Sequence, residues 1–354
     1  MKLVRESLFS STIRSFCISF FSVIGIVAAF FLCLVVFGAG KTSKAAETSS
    51  FDVILPDTNG RKFSPTTNTP LLLRLDIVGP IMPDNSSALS PSGVGIDYVR
   101  SALNESRMGT LKNNKIKGIL LYINSPGGAG YLCEPIYEAI KEYSNKYEVP
   151  VYAYVEGYCA SAAMYIACSA NKIYANSSSL IGSVGGYWEF FNVSEGMQKV
   201  GIQNKTLSAG KGKNAMNPFQ PWQEGASDNY QMIVDKSYQQ FVDVVSEARP
   251  KLTKDLLINK YGAQVFYPND AEKYGYIDGA GYQYNQVVQM LAEASGIQGT
   301  DYQLIQLQPK VKLSDLFSLT HRLADKSKFL KSLKDNPLLP PRSNIEDALV
   351  ELPK

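Results

Sequence analysis

The sequence predicts an α/β fold built on a parallel sheet, and two observations carry the prediction. Residues 116–123 read Ile-Lys-Gly-Ile-Leu-Leu-Tyr-Ile, a nearly continuous apolar run. Such a run marks a strand buried on both faces, as in sheets whose crossover helices cover either side. Around it, segments of strand character alternate with segments that suit helices, the pattern of an α/β domain.

Taken in order, the first strand is expected from Leu71 and ends at Gly79-Pro80, a pair that punctuates regular structure. Tyr98 to Lys112 suits a helix. The apolar strand at 116–123 runs into Asn124-Ser125-Pro126-Gly127-Gly128, and a helix is expected from about Tyr131 to Lys146. Val149 to Val155 is the next strand, followed by a turn at Ser161 and a short helix to about Cys168. Lys172–Ala175 and Leu180–Ser183 read as short strands. Ser227 stands where it can cap a long amphipathic helix ending near Arg249-Pro250. No internal repeat is visible.

The chain divides into residues 1–15, an apolar span at 16–37, a linker at 38–69, the α/β unit at 70–295 and an extension at 296–354. The linker begins with a polar stretch rich in Ser, Thr, Lys and Glu and stays poorly patterned to Thr69. The tail from Lys310 is charged and reads as a docking helix plus a loose end.

At 354 residues there is room for one large domain or two small ones. A formal charge of +3, with no basic cluster interleaved with aromatics, gives no reason to expect nucleic acid as a partner. Phe16 to Phe37 is a run of 22 residues without a charge. About 20 apolar residues cross a bilayer as a helix, whereas a cleavable signal peptide has a core of about 7–15. An uncleaved transmembrane anchor is therefore expected, although Gly38-Ala39-Gly40 could serve a signal peptidase. Lys2, Arg5 and Arg14 precede the span, and Lys41 and Lys44 come after it. The positive-inside rule then places the bulk of the chain on the non-cytoplasmic side. Of five cysteines, Cys17 and Cys33 lie in the span; Cys133, Cys159 and Cys168 sit in apolar contexts and read as core residues, not a disulfide framework. No spacing resembles a zinc site.

The chemistry centres on Gly157 to Tyr165, Gly-Tyr-Cys-Ala-Ser-Ala-Ala-Met-Tyr, with Ser161 in the middle. The single histidine, His321, lies far off in the polar tail, so a nucleophilic Ser161 would need a different base. Lysine is the candidate, and Lys211 and Lys213 compete in the Gly-rich stretch Ser208 to Pro218. A serine hydroxyl needs a neighbouring base to take its proton, and a lysine does so only where its surroundings push its pKa toward neutrality. Gly127-Gly128 could be a tight turn alone, or could leave backbone N–H groups free for an oxyanion. In an α/β sheet, reactive groups collect beyond the carboxyl ends of the strands. Gly128 and Ser161 both come after strand ends, so the N–H groups of Gly128 and Ala162 are natural donors. Ala160-Ser161-Ala162-Ala163 could equally be close helix packing. Ser183 could be a turn residue or could orient the lysine amine. The Gly-x-Ser-x-Gly elbow is absent, against an α/β-hydrolase. Gly40-Lys41-Thr42 is no phosphate loop, because Val35 stands where its first glycine belongs.

At these residues the chain resembles the bacterial signal peptide peptidase family, Ser/Lys serine peptidases of the Clp-protease/crotonase-like superfold. The resemblance rests on ordered motifs: Ile77-Val78-Gly79-Pro80-Ile81, Ile119 to Gly128, Val151 to Tyr165, and Leu180-Ile181-Gly182-Ser183-Val184-Gly185. The Ser208 to Pro218 loop and Gly262 to Asp278 complete it, the latter with Ala271, Gly275, Ile277 and Asp278. It covers roughly residues 70–295 in a single copy. Met164 departs from the aromatic often found there, and the loop carries an extra Gly-Lys.

The resemblance implies that Ser161 is the nucleophile and that Lys213, which directly precedes Asn-Ala-Met-Asn-Pro, is the general base. It implies that Gly128 is the oxyanion glycine and that Ser183 steadies the lysine. It further implies a membrane-anchored endopeptidase acting on remnant signal peptides or other short hydrophobic peptides, in the cytoplasmic membrane of a bacterium. It implies no metal or nucleotide cofactor. A homo-oligomer is implied, because in this family the serine and lysine of one site can come from different copies of the unit. Two rivals remain at this level: an acyl-CoA enzyme of the crotonase-like fold, for which no glutamate base or adenine pocket is marked, and a catalytically silent membrane scaffold.

Overall fold

In the computed structural model the described residues are 53–66, 68–83, 93–112 and 115–307. The expected span at 16–37, the polar linker, His321 and the tail from Lys310 lie outside them. Nine strands form one sheet: β1 (Val53–Leu55), β2 (Leu71–Val78), β3 (Ile116–Ser125), β4 (Val151–Ala160), β5 (Lys172–Ala175), β6 (Leu180–Gly182), β7 (Val265–Phe266), β8 (Gly279–Ala280) and β9 (Gln303–Gln306). The order is β1-β9-β2-β3-β4-β5-β8, with β6 beside β4 and β7 beside β6. Only the β1–β9 and β6–β7 pairings are antiparallel.

The helices are α1 (Ile96–Glu105), α2 (Cys133–Tyr147), α3 (Ala162–Ala167), α4 (Ser194–Lys199), α5 (Asp228–Ala248), α6 (Pro268–Tyr274) and α7 (Tyr284–Ala294), with a π-helical turn at Leu256–Tyr261. The continuous apolar run of β3 is explained by cover on both faces. Ile119, Leu121 and Ile123 join Leu73, Leu75, Ala153 and Val155 against Val99, Ile136, Ile140 and α3. Leu120 points the other way, with Leu72 and Tyr154, onto Val287, Val288 and Leu291 of α7. Each fully buried Leu or Ile contributes roughly 1.5–3 kcal/mol by leaving water.

Several expectations are corrected. The helix expected to reach Lys112 stops at Glu105: the Ser106 hydroxyl turns back onto the Leu103 carbonyl at 2.6 Å, and Gly109 takes a φ of 53°. Among the described residues a strand at Val53–Leu55 already precedes the one expected from Leu71, and the sheet takes in β1 and β9, both outside residues 70–295. Ser227 precedes α5 but makes no capping hydrogen bond; its φ and ψ of −90° and −10° are already near-helical, whereas a capping residue is extended. The helix that carries a capping box is α7, where Gln283 and Gln286 bond reciprocally. Cys133, Cys159 and Cys168 are free and buried, as expected. Among the described residues, no helix is long and apolar enough to cross a membrane.

One ion-pair network ties distant elements together. Asp278 accepts from Arg249 Nη1 at 2.7 Å, from Lys172 Nζ at 3.1 Å and from the Ile173 N–H at 2.9 Å. Burial raises the pKa of this carboxyl, but the guanidinium and backbone N–H outweigh it and hold the group below the usual range.

Candidate active site

The site begins with a mismatch between β3 and β4. Ile123 lies opposite Val155, yet Ser125 lies opposite Cys159, so β4 carries extra residues over the same length of sheet. Extra residues bend a strand and re-aim the side chains beyond them. The Asn124 side chain fills this bulge, its Oδ1 accepting the Tyr158 N–H at 3.1 Å. Gly157 is required there: at φ 115° a Cβ would lie 2.3 Å from Asn124 Oδ1. Ser179, fully buried, secures the other side. Its hydroxyl accepts the Gly157 N–H at 3.2 Å and lies 3.0 Å from the Val155 carbonyl and 2.7 Å from Asn176 Oδ1.

Ser161 is the residue at which β4 turns into α3. Its φ is 55° and its ψ −127°, a conformation rare for a residue with a side chain and costing on the order of 1–3 kcal/mol. Backbone bonds hold it: the Ser161 N–H donates to Gly182 O at 3.0 Å, and its carbonyl accepts from Met164 at 2.8 Å and Tyr165 at 3.2 Å. In α/β-hydrolases a serine is raised clear of the sheet on a strained strand-to-helix turn.

The Gly127-Gly128 loop rests directly on this turn. A Cβ on Gly127 would stand 2.7 Å from Ser161 Cβ and 3.0 Å from Ala162 N. Ile81 clamps the loop, its N–H donating to Gly127 O at 2.9 Å and its carbonyl accepting from Ala129 at 2.8 Å. Gly128 lies against Ile81 so closely that a Cβ would come 2.2 Å from the Ile81 oxygen. Among the described residues, neither the Gly128 N–H nor the Ala162 N–H has a hydrogen-bond partner. Two unspent donors beside one hydroxyl can stabilise a developing oxyanion. Ser183 comes after Gly182 on the far side, at φ 54°, its N–H donating to Gln264 O at 2.7 Å.

The structure thus brings Ser161, Ala162, Gly128 and Ser183 together and leaves Lys213 apart. Lys213 is exposed in the single chain; its N–H donates to Gly210 O at 3.2 Å, and its amine makes no hydrogen bond or ion pair among the described residues. Lys211 is exposed as well. The burial expected around a lysine base is not supplied by one copy of the chain. Reading the sequence missed Ser179, and it gave Asn124, Gly157 and Ile81 only as parts of motifs, without the contacts distant in sequence through which they shape the turn. It singled out Gly128, yet Gly127 is the glycine in contact with Ser161. No group of His, Cys, Asp and Glu capable of holding a metal ion occurs among the described residues.

The arrangement of β3, α2, β4 and α3 about the Ser161 turn is the part of the chain that matches the Clp protease family model, over residues 99–184. The fold is a Clp-protease-like α/β fold. A second family model, Peptidase family S49, matches residues 144–298. Three relatives agree with it. "Putative protease MJ0651" of Methanocaldococcus jannaschii is 30% identical over 214 residues, 60% of this chain and 66% of that protein. "Putative signal peptide peptidase SppA" of Enterococcus faecium is 28% identical over 171 residues, 48% of this chain and 49% of that protein. "Protease 4" of Haemophilus influenzae is 28% identical over 176 residues, 50% of this chain and 28% of that protein. These matches support an SppA-type S49 peptidase family for the chain, which spans less than two thirds of the length of each of these relatives.

Proposed function

We propose that the protein is a serine endopeptidase working by a Ser/Lys dyad. The Ser161 oxygen attacks the scissile carbonyl while Lys213 takes its proton. The N–H groups of Gly128 and Ala162 hold the oxyanion, and Lys213 returns the proton to the leaving amine as the C–N bond breaks. Ser183 steadies the lysine amine. Water then hydrolyses the acyl-enzyme with Lys213 as base. The observation that carries this reading is the positive-φ turn at Ser161 beside two unspent N–H donors.

The lysine is proposed to arrive from a second copy of the chain. In support, Lys213 sits within an arm, residues 183–227, whose only described helix is α4 and which exposes Tyr187, Trp188, Phe191, Val200 and Leu207 by 54–87%. Exposed apolar groups in such number mark an interaction surface. The uncharged run at 16–37 supports a single-pass anchor in a bacterial cytoplasmic membrane, with the peptidase unit on the non-cytoplasmic side. Remnant signal peptides or other short hydrophobic peptides are the proposed substrates.

A fluorophosphonate probe should label the protein at Ser161, and Ser161→Ala should not be labelled. Ser161→Ala and Lys213→Ala subunits, each inactive, should regain part of the activity when co-assembled. Mixed oligomers that form but stay inactive would place the dyad within one subunit, and a labelled Ser161→Ala protein would remove Ser161 as nucleophile.

A further inference from the structure

Strand alternation places Tyr122 and Tyr154 on the sheet face that α7 covers only in part. Tyr284, at the start of α7, completes a cluster with ring centroids 6.3 Å apart (Tyr122–Tyr154), 6.1 Å (Tyr122–Tyr284) and 5.7 Å (Tyr154–Tyr284). The protein already uses one side of this cluster to hold a cation. The Arg74 guanidinium lies 3.9 Å from the Tyr122 ring centroid and 5.5 Å from that of Tyr284, and it pairs with Asp76, Nη2 to Oδ2 at 3.1 Å.

A second carboxylate stands on the other side. Glu156 accepts the Tyr122 hydroxyl at 2.8 Å, and no basic side chain among the described residues pairs with it. Its presence, after burial, helps push the Tyr122 hydroxyl up to about 12. Glu156 lines a cleft of about 390 Å³ together with Tyr154, Tyr282, Tyr284, Asn176 and Asn285. That volume suits a side chain or small ligand, and a carboxylate beside aromatic faces favours a positive charge.

We infer that this cleft binds the cationic side chain, lysine or arginine, of a peptide. The placement favours a peptide over a free cation. Glu156 lies on the strand that leads to Ser161, five residues earlier; at roughly 3.3 Å per residue this is at most about 16 Å, and the bulge at Gly157 shortens it. An extended peptide of about five residues covers that distance. The inference rests on the peptidase reading only for the source of that peptide.

The test uses full-length Ser161→Ala protein, so that the probe is not consumed, and a fluorescein-labelled peptide of about nine residues with one lysine. Anisotropy should show the lysine and arginine peptides binding about tenfold tighter than a norleucine peptide. Glu156→Gln should abolish that preference, and Tyr284→Leu should reduce it. Equal binding of the lysine and norleucine peptides, or a preference that survives Glu156→Gln, would overturn the inference. Lysine amide competing as well as the whole peptide would make this a free-cation site and overturn the peptide. Because binding is read without turnover, its failure is separate from failure of the Ser161 labelling that tests the peptidase reading.

Discussion

Ser161 keeps its positive φ because its neighbours leave it no other path, and Gly127 is the neighbour with least room to change. Gly127→Ala would force a Cβ to 2.7 Å from Ser161 Cβ and 2.8 Å from Ala160 O, at a φ of 97° that disfavours any side chain. On the proposed mechanism kcat should fall by about a hundredfold, since displacing the proposed nucleophile by about 1 Å costs that much; steady-state kinetics and a melting curve would separate this from unfolding. Ser161→Ala and Lys213→Ala should each lose about three or more powers of ten in peptide cleavage, while Lys211→Ala stays near the parent rate. An active Lys213→Ala protein would remove the proposed mechanism. At this scale the sequence pointed to Ser161, Gly128 and Ala162 as candidates, because a small-residue run after one strand and a Gly-Gly after another are local signals. The Gly127 contact was not legible, since two glycines in a row give no hint which one meets the serine.

Among the elements, the two helix starts offer a matched pair of tests. Ser227→Ala should change stability by less than about 0.5 kcal/mol, because its side chain caps nothing. Gln283→Ala should cost about 1 kcal/mol through loss of the capping box on α7. Chemical denaturation of both variants would check the contrast, and equal losses would show the capping geometry to be wrong. Ser179→Ala should cost about 1–3 kcal/mol, since the Gly157 N–H and the Val155 carbonyl lose a buried partner. The central strands were readable because their apolar runs are long. The β4 bulge was not, because it is defined by pairing to Asn124 and Ser179, which strand periodicity does not record. Ser227 misled for a related reason: the right residue type stood at the right place, and the backbone did not adopt the extended conformation a cap needs.

For the molecule as a whole, Asp278 joins the end of α5 to strand β5 of the sheet. Its folded pKa lies below the unfolded value, so its contribution to stability is complete above about pH 4, the ordinary carboxylate value, and is lost as pH falls through the folded pKa. Asp278→Asn should cost about 2–4 kcal/mol at neutral pH by leaving the buried Arg249 unpaired. It should also flatten the loss of stability in acid, which melting temperatures across pH would reveal. An unchanged acid limb would mean that other carboxylates govern it. Asp278 was named in the sequence only as part of a family motif; that it anchors Arg249 became visible with the tertiary fold. The exposed aromatic arm was likewise invisible, because neither its composition nor its spacing separates an uncovered surface from a core.

The place of β9 decides where the chain can be cut. It lies between β1 and β2, antiparallel to the first and parallel to the second, so the sheet is closed on that side by the segments on either flank of the family motifs. A fragment trimmed to residues 70–295 would retain Ser161, Lys213 and every motif by which the chain is recognised. It would also bare the hydrogen-bonding edge of β2, a strand rich in leucine, and unpaired apolar edges of that kind recruit other chains. Such a fragment should emerge as an aggregate, whereas one running from residue 53 to 307 should remain dispersed, a difference that size-exclusion chromatography would report directly.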